Sequence, residues 1–282
     1  MANPATYPPT DFLNRKMLKG IGFQGNQLLE FLCTDSVYSF RDDFDSGLDL
    51  AKWSVAHAEV GTPGSGIADF HELDEVNGWI EGDPGSGDNN DIRLFSRLPL
   101  LSPSRRCWVQ TSFRISNLSD VKFEFGLVGP STNLGDPGTA GAVNVKATPS
   151  ANSFFSDFAA VIYDTDQNTS CDLIQARRNS LVRANQSGPS TLSAPGPFSL
   201  LIWMHEGGGA RYWINGIPAG QTELAPKVVS SVQSTLPGAE ASKQHAYSNM
   251  HIWMFVQNRV ANSMNHAIGV DYIQAGQERV AP

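Results

Sequence analysis

The chain has 282 residues, of which 40% are hydrophobic and 17% charged, against about 25% charged in an average soluble domain. Twenty-eight acidic and 20 basic residues give a net charge of −8, and no basic run exceeds the pairs Arg105-Arg106 and Arg177-Arg178. A protein that neutralises nucleic-acid phosphates needs a basic face, so nucleic acid is excluded as a partner.

The first 40 residues differ from the rest. MANPATYPPTDFLNRKML contains Pro4, Pro8 and Pro9 and no apolar run ahead of its first charges, which is not the pattern of a secretory signal. No later stretch approaches the ~18 apolar residues of a membrane span. The expectation is a soluble chain with no membrane partner. Residues 1–10 read as extended, and DFLNRKML reads as a short helix capped by Asp11. Gly20, Gly22 and Gly25 interrupt it. NQLLEFLCTDSVYSF then carries Leu28, Leu29, Phe31, Leu32, Tyr38 and Phe40, an apolar surface that cannot fold alone. Residues 1–40 are therefore expected to be an extended arm whose apolar side chains pack on the main domain or on a neighbouring subunit.

From residue 41 the pattern is β throughout. RDDFDSGLDLAKWSVAHAEV and GIADFHELDEVNGWIEGD alternate apolar and polar residues between Gly- and Pro-containing breaks. The later candidates are DIRLFSRLPLL, RCWVQTSFRISN, VKFEFGLVGP, SDFAAVIYDTD, CDLIQARRNSLVRAN, GPFSLLIWMHEG, GARYWINGIPAG, MHIWMFVQNR and HAIGVDYIQAGQER. FSLLIWMHEGGGARYWING reads as a hairpin with its tip at residues 207–209, and INGIPAG as a tight turn. About eleven strands without a long helical period or βαβ alternation predict an all-β, two-sheet antiparallel sandwich over residues 41–282. Glycine-rich 129–150 and residues 225–248 are expected to be long loops.

In order and spacing, DDFDSGLDLAKW (42–53), WVQTSFRISNLSDVKFEFGLVGP (108–130), FAAVIYDTD (158–166), LLIWMHEGGGARYWINGIPAG (200–220) and WMFVQNRVANSMNHAIGVDYIQAGQER (253–279) resemble concanavalin-like lectin/glucanase domains of the jelly-roll type. The resemblance is greatest to those in bacteriophage structural proteins. It implies a virion component made in the host cytoplasm, a head decoration or minor head protein, with a tail part as the less favoured alternative. Its partners would be the major capsid protein or other copies of itself.

The same resemblance raises hydrolysis as a possibility to test. A retaining glycosidase needs two carboxyls about 5–5.5 Å apart, and the related glucanases place them on one strand as Glu-x-Asp-x-Glu or with one extra residue before the last Glu. In HELDEV, Glu72 and Asp74 would share a strand face, but Val76 and Asn77 stand where the second Glu belongs. The reading is of a non-enzyme with no catalytic residues. Asp164, Asp166 and Asn168 alternate oxygen ligands as a structural calcium loop would, yet Thr169 and Gln175 replace the Gly and Glu of an EF-hand, so an Asx turn is preferred. Cys33, Cys107 and Cys171 form no CxxC unit, and six His form no HxH or HExxH pattern. GTPGSG and GDPGSG lack the GK[ST] of a phosphate loop. Of the six Trp, Trp79 beside GDPGSGDNN is expected to be the most exposed and is the candidate glycan contact; the others read as core. The sequence thus points to a non-enzymatic virion structural protein that binds through its arm and loops, with a lectin-like glycan-binding module as the alternative.

Overall fold

Alternate side chains of a strand point to opposite faces, and in RCWVQTSFRI that rule sends Val109, Phe113 and Ile115 one way and Trp108, Gln110 and Arg114 the other. The computed structural model describes residues 37–58, 69–73, 78–85, 87–103, 106–129, 157–166, 170–177, 180–183, 185–186, 191–192, 196–204, 209–222, 249–260 and 267–278. Within them lie sixteen strands and no helix. In chain order these are β1 (Val37–Asp42), β2 (Trp53–Ala58), β3 (Asp69–Glu72), β4 (Ile80–Asp83), β5 (Asp91–Ser96), β6 (Cys107–Ile115), β7 (Val121–Val128) and β8 (Phe158–Asp164). They continue as β9 (Cys171–Arg177), β10 (Ser180–Arg183), β11 (Asn185–Gln186), β12 (Phe198–Met204), β13 (Ala210–Ile214), β14 (Ile217–Thr222), β15 (His251–Asn258) and β16 (Ile268–Glu278).

The strands form two antiparallel sheets, the jelly-roll sandwich the sequence predicts. Sheet one runs β11-β14-β13-β12-β6-β16-β4-β3, with β1 also paired to β16. Sheet two runs β10-β9-β8-β7-β15-β5-β2. Between them, Phe113 of β6 stacks on Phe123 of β7 with centroids 4.5 Å apart, and Phe198 lies 5.3 Å from Phe113. Fully burying such a side chain stabilises the fold by about 1.5–3 kcal/mol. The Tyr212 hydroxyl donates to the Ile174 carbonyl at 2.8 Å and the Thr222 hydroxyl to Gln175 Oε1 at 2.6 Å, two polar links from sheet to sheet.

The predicted hairpin is present: β12 and β13 pair with Leu200 opposite Ile214 and Met204 opposite Ala210. The tight turn after it holds Asn215 and Gly216 at φ 52° and 74°, the left-handed pair that a type I′ turn requires. Three segments divide differently from their sequence reading. The alternation after residue 41 does not start a strand at once: residues 43–52 are loop and turn, and β2 begins at Trp53. GIADFHELDEVNGWIEGD contributes two strands that pair with each other, Phe70 opposite Gly82. CDLIQARRNSLVRAN likewise yields β9 and β10, folded back with Leu181 opposite Ala176. Period two continues across each break, so alternation alone hides the turn.

The arm boundary also moves. β1 begins at Val37, four residues before the domain start read from the sequence, and Tyr38 pairs with Gln277 and Phe40 with Ala275 of β16. Phe40 is half-buried, edge-on to Trp53 at 5.5 Å, so it serves the sandwich's own core. The reason lies in chain distance: the partner of β1 is the last strand, and no nearby hairpin signals the pairing. Leu28, Leu29, Phe31 and Leu32 lie outside the described residues. Among the described residues no helix is long and apolar enough to cross a membrane.

Candidate functional site

Sheet two has a second buried face. On β15, Ile252, Met254 and Val256 point into the core between the sheets, which leaves His251, Trp253, Phe255 and Gln257 on the opposite side. On β7 the outward set is Lys122, Glu124, Gly126 and Val128; on β8 it is Phe158, Ala160, Ile162 and Asp164. Asp91, Arg93 and Phe95 complete it from β5. Register builds these into rows. Asp91, Gln257, Lys122 and Asp164 stand side by side across four strands. The next row is Arg93, Phe255, Glu124 and Ile162, and the one after it Phe95, Trp253, Gly126 and Ala160. Gly126 is required there, because a Cβ would fall 2.1 Å from the Ala159 carbonyl oxygen.

This face combines aromatics with charge, and Asp91, Glu124 and Asp164 on it are each paired with a cation. Lys122 Nζ lies 3.1 Å from Glu124 and 3.9 Å from Asp164. Glu124 also accepts from Trp253 Nε1 at 3.1 Å. Asp164 receives the Arg259 guanidinium through both Nε, at 3.1 Å, and Nη2. Arg93 bonds Asp91 at 2.8–2.9 Å. Lys122, Glu124 and Trp253 are each 0% exposed. A lone charge at such a site would cost several kcal/mol, and pairing with hydrogen bonds is what makes the burial tolerable. No strand of sheet two carries two carboxylates at alternate positions among the described residues. The positions of β8 that alternate on this face hold Phe158, Ala160 and Ile162 before Asp164 is reached.

The residues singled out by sequence lie elsewhere or in other roles. Glu72 ends β3 at the edge of sheet one, exposed, its carboxylate 2.9 Å from where a Cβ on Gly47 would stand. Asp74, its expected neighbour, lies outside the described residues. Asp164 is buried, and its Oδ1 accepts from the Asp166 amide at 3.2 Å, the Asx turn read as the alternative to a calcium loop. Asp166 is exposed with Arg259 at 3.5 Å, and Asn168 lies outside the described residues. Among the described residues no three His, Cys, Asp or Glu side chains are grouped to hold a metal ion. Trp79 is half-buried, the Arg114 guanidinium 4.7 Å over its ring and its edge beside Gly269, and Trp203, read as core, is half-buried too, while the other four Trp are buried. Cys107 and Cys171 are buried, and burial pushes both thiols up to about 12, far from a reactive thiolate.

Sequence reading did not pick out Lys122, Glu124, Arg93, Trp253 or Phe255. VKFEFG alternates as a strand with one wet face does, so its Lys and Glu read as solvent-facing. The available signal was in the neighbours: IWMFV and FAAVI are apolar at consecutive positions, the mark of strands buried on both faces.

A second feature lies at one end of the sandwich. The loop between β1 and β2 encloses an open pocket of about 450 Å³ lined by Asp42, Asp43, Asp45, Ser46, Gly47, Asp49 and Lys52. Asp42 anchors it, accepting from the Phe44 amide at 3.1 Å, Trp53 Nε1 at 2.9 Å and Lys52 at 3.4 Å.

No protein-family model and no curated protein matches the chain. Solved structures do. A protein of unknown function from Shewanella oneidensis MR-1 aligns over 92% of this chain and 96% of its own, with TM-score 0.53 and 13% identity. A glycoside hydrolase family 16 endo-glucanase from Bacteroides ovatus aligns over 83% and 98%, with TM-score 0.50 and 10% identity. At such identities the likeness is one of fold: this is a concanavalin-like sandwich.

Proposed function

We propose that the chain is a non-catalytic structural protein of a bacteriophage particle, a capsid decoration or minor head protein held by contacts with the major capsid protein or with other copies of itself. The observation that carries the non-catalytic half is the far face of sheet two. It gathers aromatics and carboxylates, as a saccharide-cleaving surface must, yet Asp91, Glu124 and Asp164 there are each paired with a cation and the central groups are out of water. Catalysis by two carboxyls needs one kept protonated and one free to attack or to activate water, and a charge-paired, closed face serves rigidity instead. The virion half rests on the order of segments that resembles phage sandwich proteins with a preceding arm.

The test is the protein content of purified particles. Quantitative mass spectrometry should find the chain at a fixed copy number, and a chain lacking residues 1–36 should be folded but missing from them. Truncation must stop there, because residues 37–42 belong to β1. A chain absent from particles, or incorporated equally without the arm, overturns the proposal. The alternative, a lectin-like glycan-binding module, rests on Trp79, which is half-buried beneath the Arg114 guanidinium. Glycan-array binding that disappears in Trp79→Ala would support that reading. Release of reducing sugar from laminarin or lichenan that depends on Glu72 or Glu124 would instead revive the hydrolase.

A further inference from the structure

Leu50 and Leu98 are the most exposed large hydrophobic side chains among the described residues, at 63% and 64%. They are not scattered. Arg97 donates from its amide to the Lys52 carbonyl at 2.8 Å and from Nη1 to the Leu50 carbonyl at 3.2 Å, which fastens the end of β5 to the loop carrying Leu50. The two leucines thus share one end of the sandwich, on a tied backbone. Beside them opens the pocket whose walls carry four carboxylates, of Asp42, Asp43, Asp45 and Asp49, against two cations, Lys52 beside Asp42 and Asp49 and Arg41 at 3.7 Å from Asp43. A ligand complementary to this surface is apolar and cationic along one short stretch.

Such a stretch exists in the same chain. Residues 13–19 read Leu-Asn-Arg-Lys-Met-Leu-Lys, with Leu13, Met17 and Leu18 interleaved with Arg15, Lys16 and Lys19 and no acidic residue. We propose that residues 13–19 of one copy dock on the Leu50–Leu98 surface and its acidic pocket in a second copy, joining subunits head to tail. The donor is a second molecule, as the assembly reading above requires. Reach is no obstacle: the 18 residues from Lys19 to Val37 extend up to roughly 60 Å. Such a contact is heterologous, so it propagates into a ring or filament unless something closes it. The inference rests on the assembly reading above and gives it a contact, with self as the partner.

Sedimentation of the full chain over a range of micromolar concentrations tests it. Concentration-dependent self-association is expected, weakened as rising salt shortens the screening length from ~10 Å at 0.1 M to ~3 Å at 1 M. Leu50→Asp with Leu98→Asp should weaken it about tenfold or more, and Lys16→Glu with Lys19→Glu should do the same. The second pair lies outside the described strands, and unchanged far-ultraviolet circular dichroism of that variant separates its effect from folding. Mixing the Lys16→Glu/Lys19→Glu chain with an Asp45→Lys/Asp49→Lys chain should restore association that neither shows alone. A chain that stays monomeric throughout, or associates regardless of the arm charges, overturns the inference. Absence from particles is a separate result and overturns the functional proposal instead.

Discussion

Asp271 shows how one residue couples the sheet to the acidic loop. It sits at the irregularity where β16 slips register against β6, between Val270 and Tyr272. Burial pushes its carboxyl above the ordinary 3.8; a hydrogen bond with Ser112 and the charge of Arg41 oppose this, and Asp43 and Asp45 add to it. The folded chain therefore binds this proton more tightly than the unfolded chain. The stability gained is fully present below the unfolded value and is lost as pH rises through the folded value. Asp271→Asn should accordingly raise the melting temperature at pH 7, and the gain should vanish at pH below about 3, where both states are protonated. Urea melts of the two proteins at several pH values check this; an Asn variant less stable at neutral pH contradicts it. Asp271 itself was invisible to periodicity, since a bulge adds a residue that alternation cannot anticipate.

At the scale of elements, β1 and β16 make the least local pairing in the fold, Val37 opposite Glu278. Six residues of β1 cover the half of one edge of β16 that β4, paired only at Ile268–Val270, leaves open. Phe40 meanwhile closes the core over Trp53. Removing residues 1–36 should leave thermal stability unchanged within experimental scatter. Removing residues 1–42 should cost several kcal/mol, because it deletes a strand and the burial of Phe40. Calorimetry of both truncations decides between this and an arm that ends at residue 40. The twelve or so residues of each apolar alternation sufficed to recognise β5, β6, β7, β12 and β15 as strands. The hairpin also matched β12 to β13, but the partners of β5, β6, β7 and β15 were not legible, because those pairings join segments far apart in the chain.

For the whole molecule, the two buried faces of sheet two make its centre structurally indispensable. β7 and β15 face the inter-sheet core on one side and the Lys122–Glu124–Asp164–Arg259 network on the other. Breaking a buried pair strands a charge, so Glu124→Leu should destabilise the protein by about 3–5 kcal/mol. Both sheets should melt together in that variant, as shared core residues dictate, so near-ultraviolet and far-ultraviolet circular dichroism should lose signal at the same temperature. A near-neutral Glu124→Leu would mean that the face is wet in solution.

Strand-forming segments, the sandwich architecture and the poverty of catalytic motifs were all determined by sequence alone, because they depend on period two, turn residues and short spacings. Tertiary structure alone decided that β1 belongs to the sheet, that Trp79 is half-covered by Arg114, and that Glu124 and Lys122 are paired out of water. Those outcomes depend on which strands become neighbours, and neighbours are chosen by packing across hundreds of residues rather than by anything within a local window.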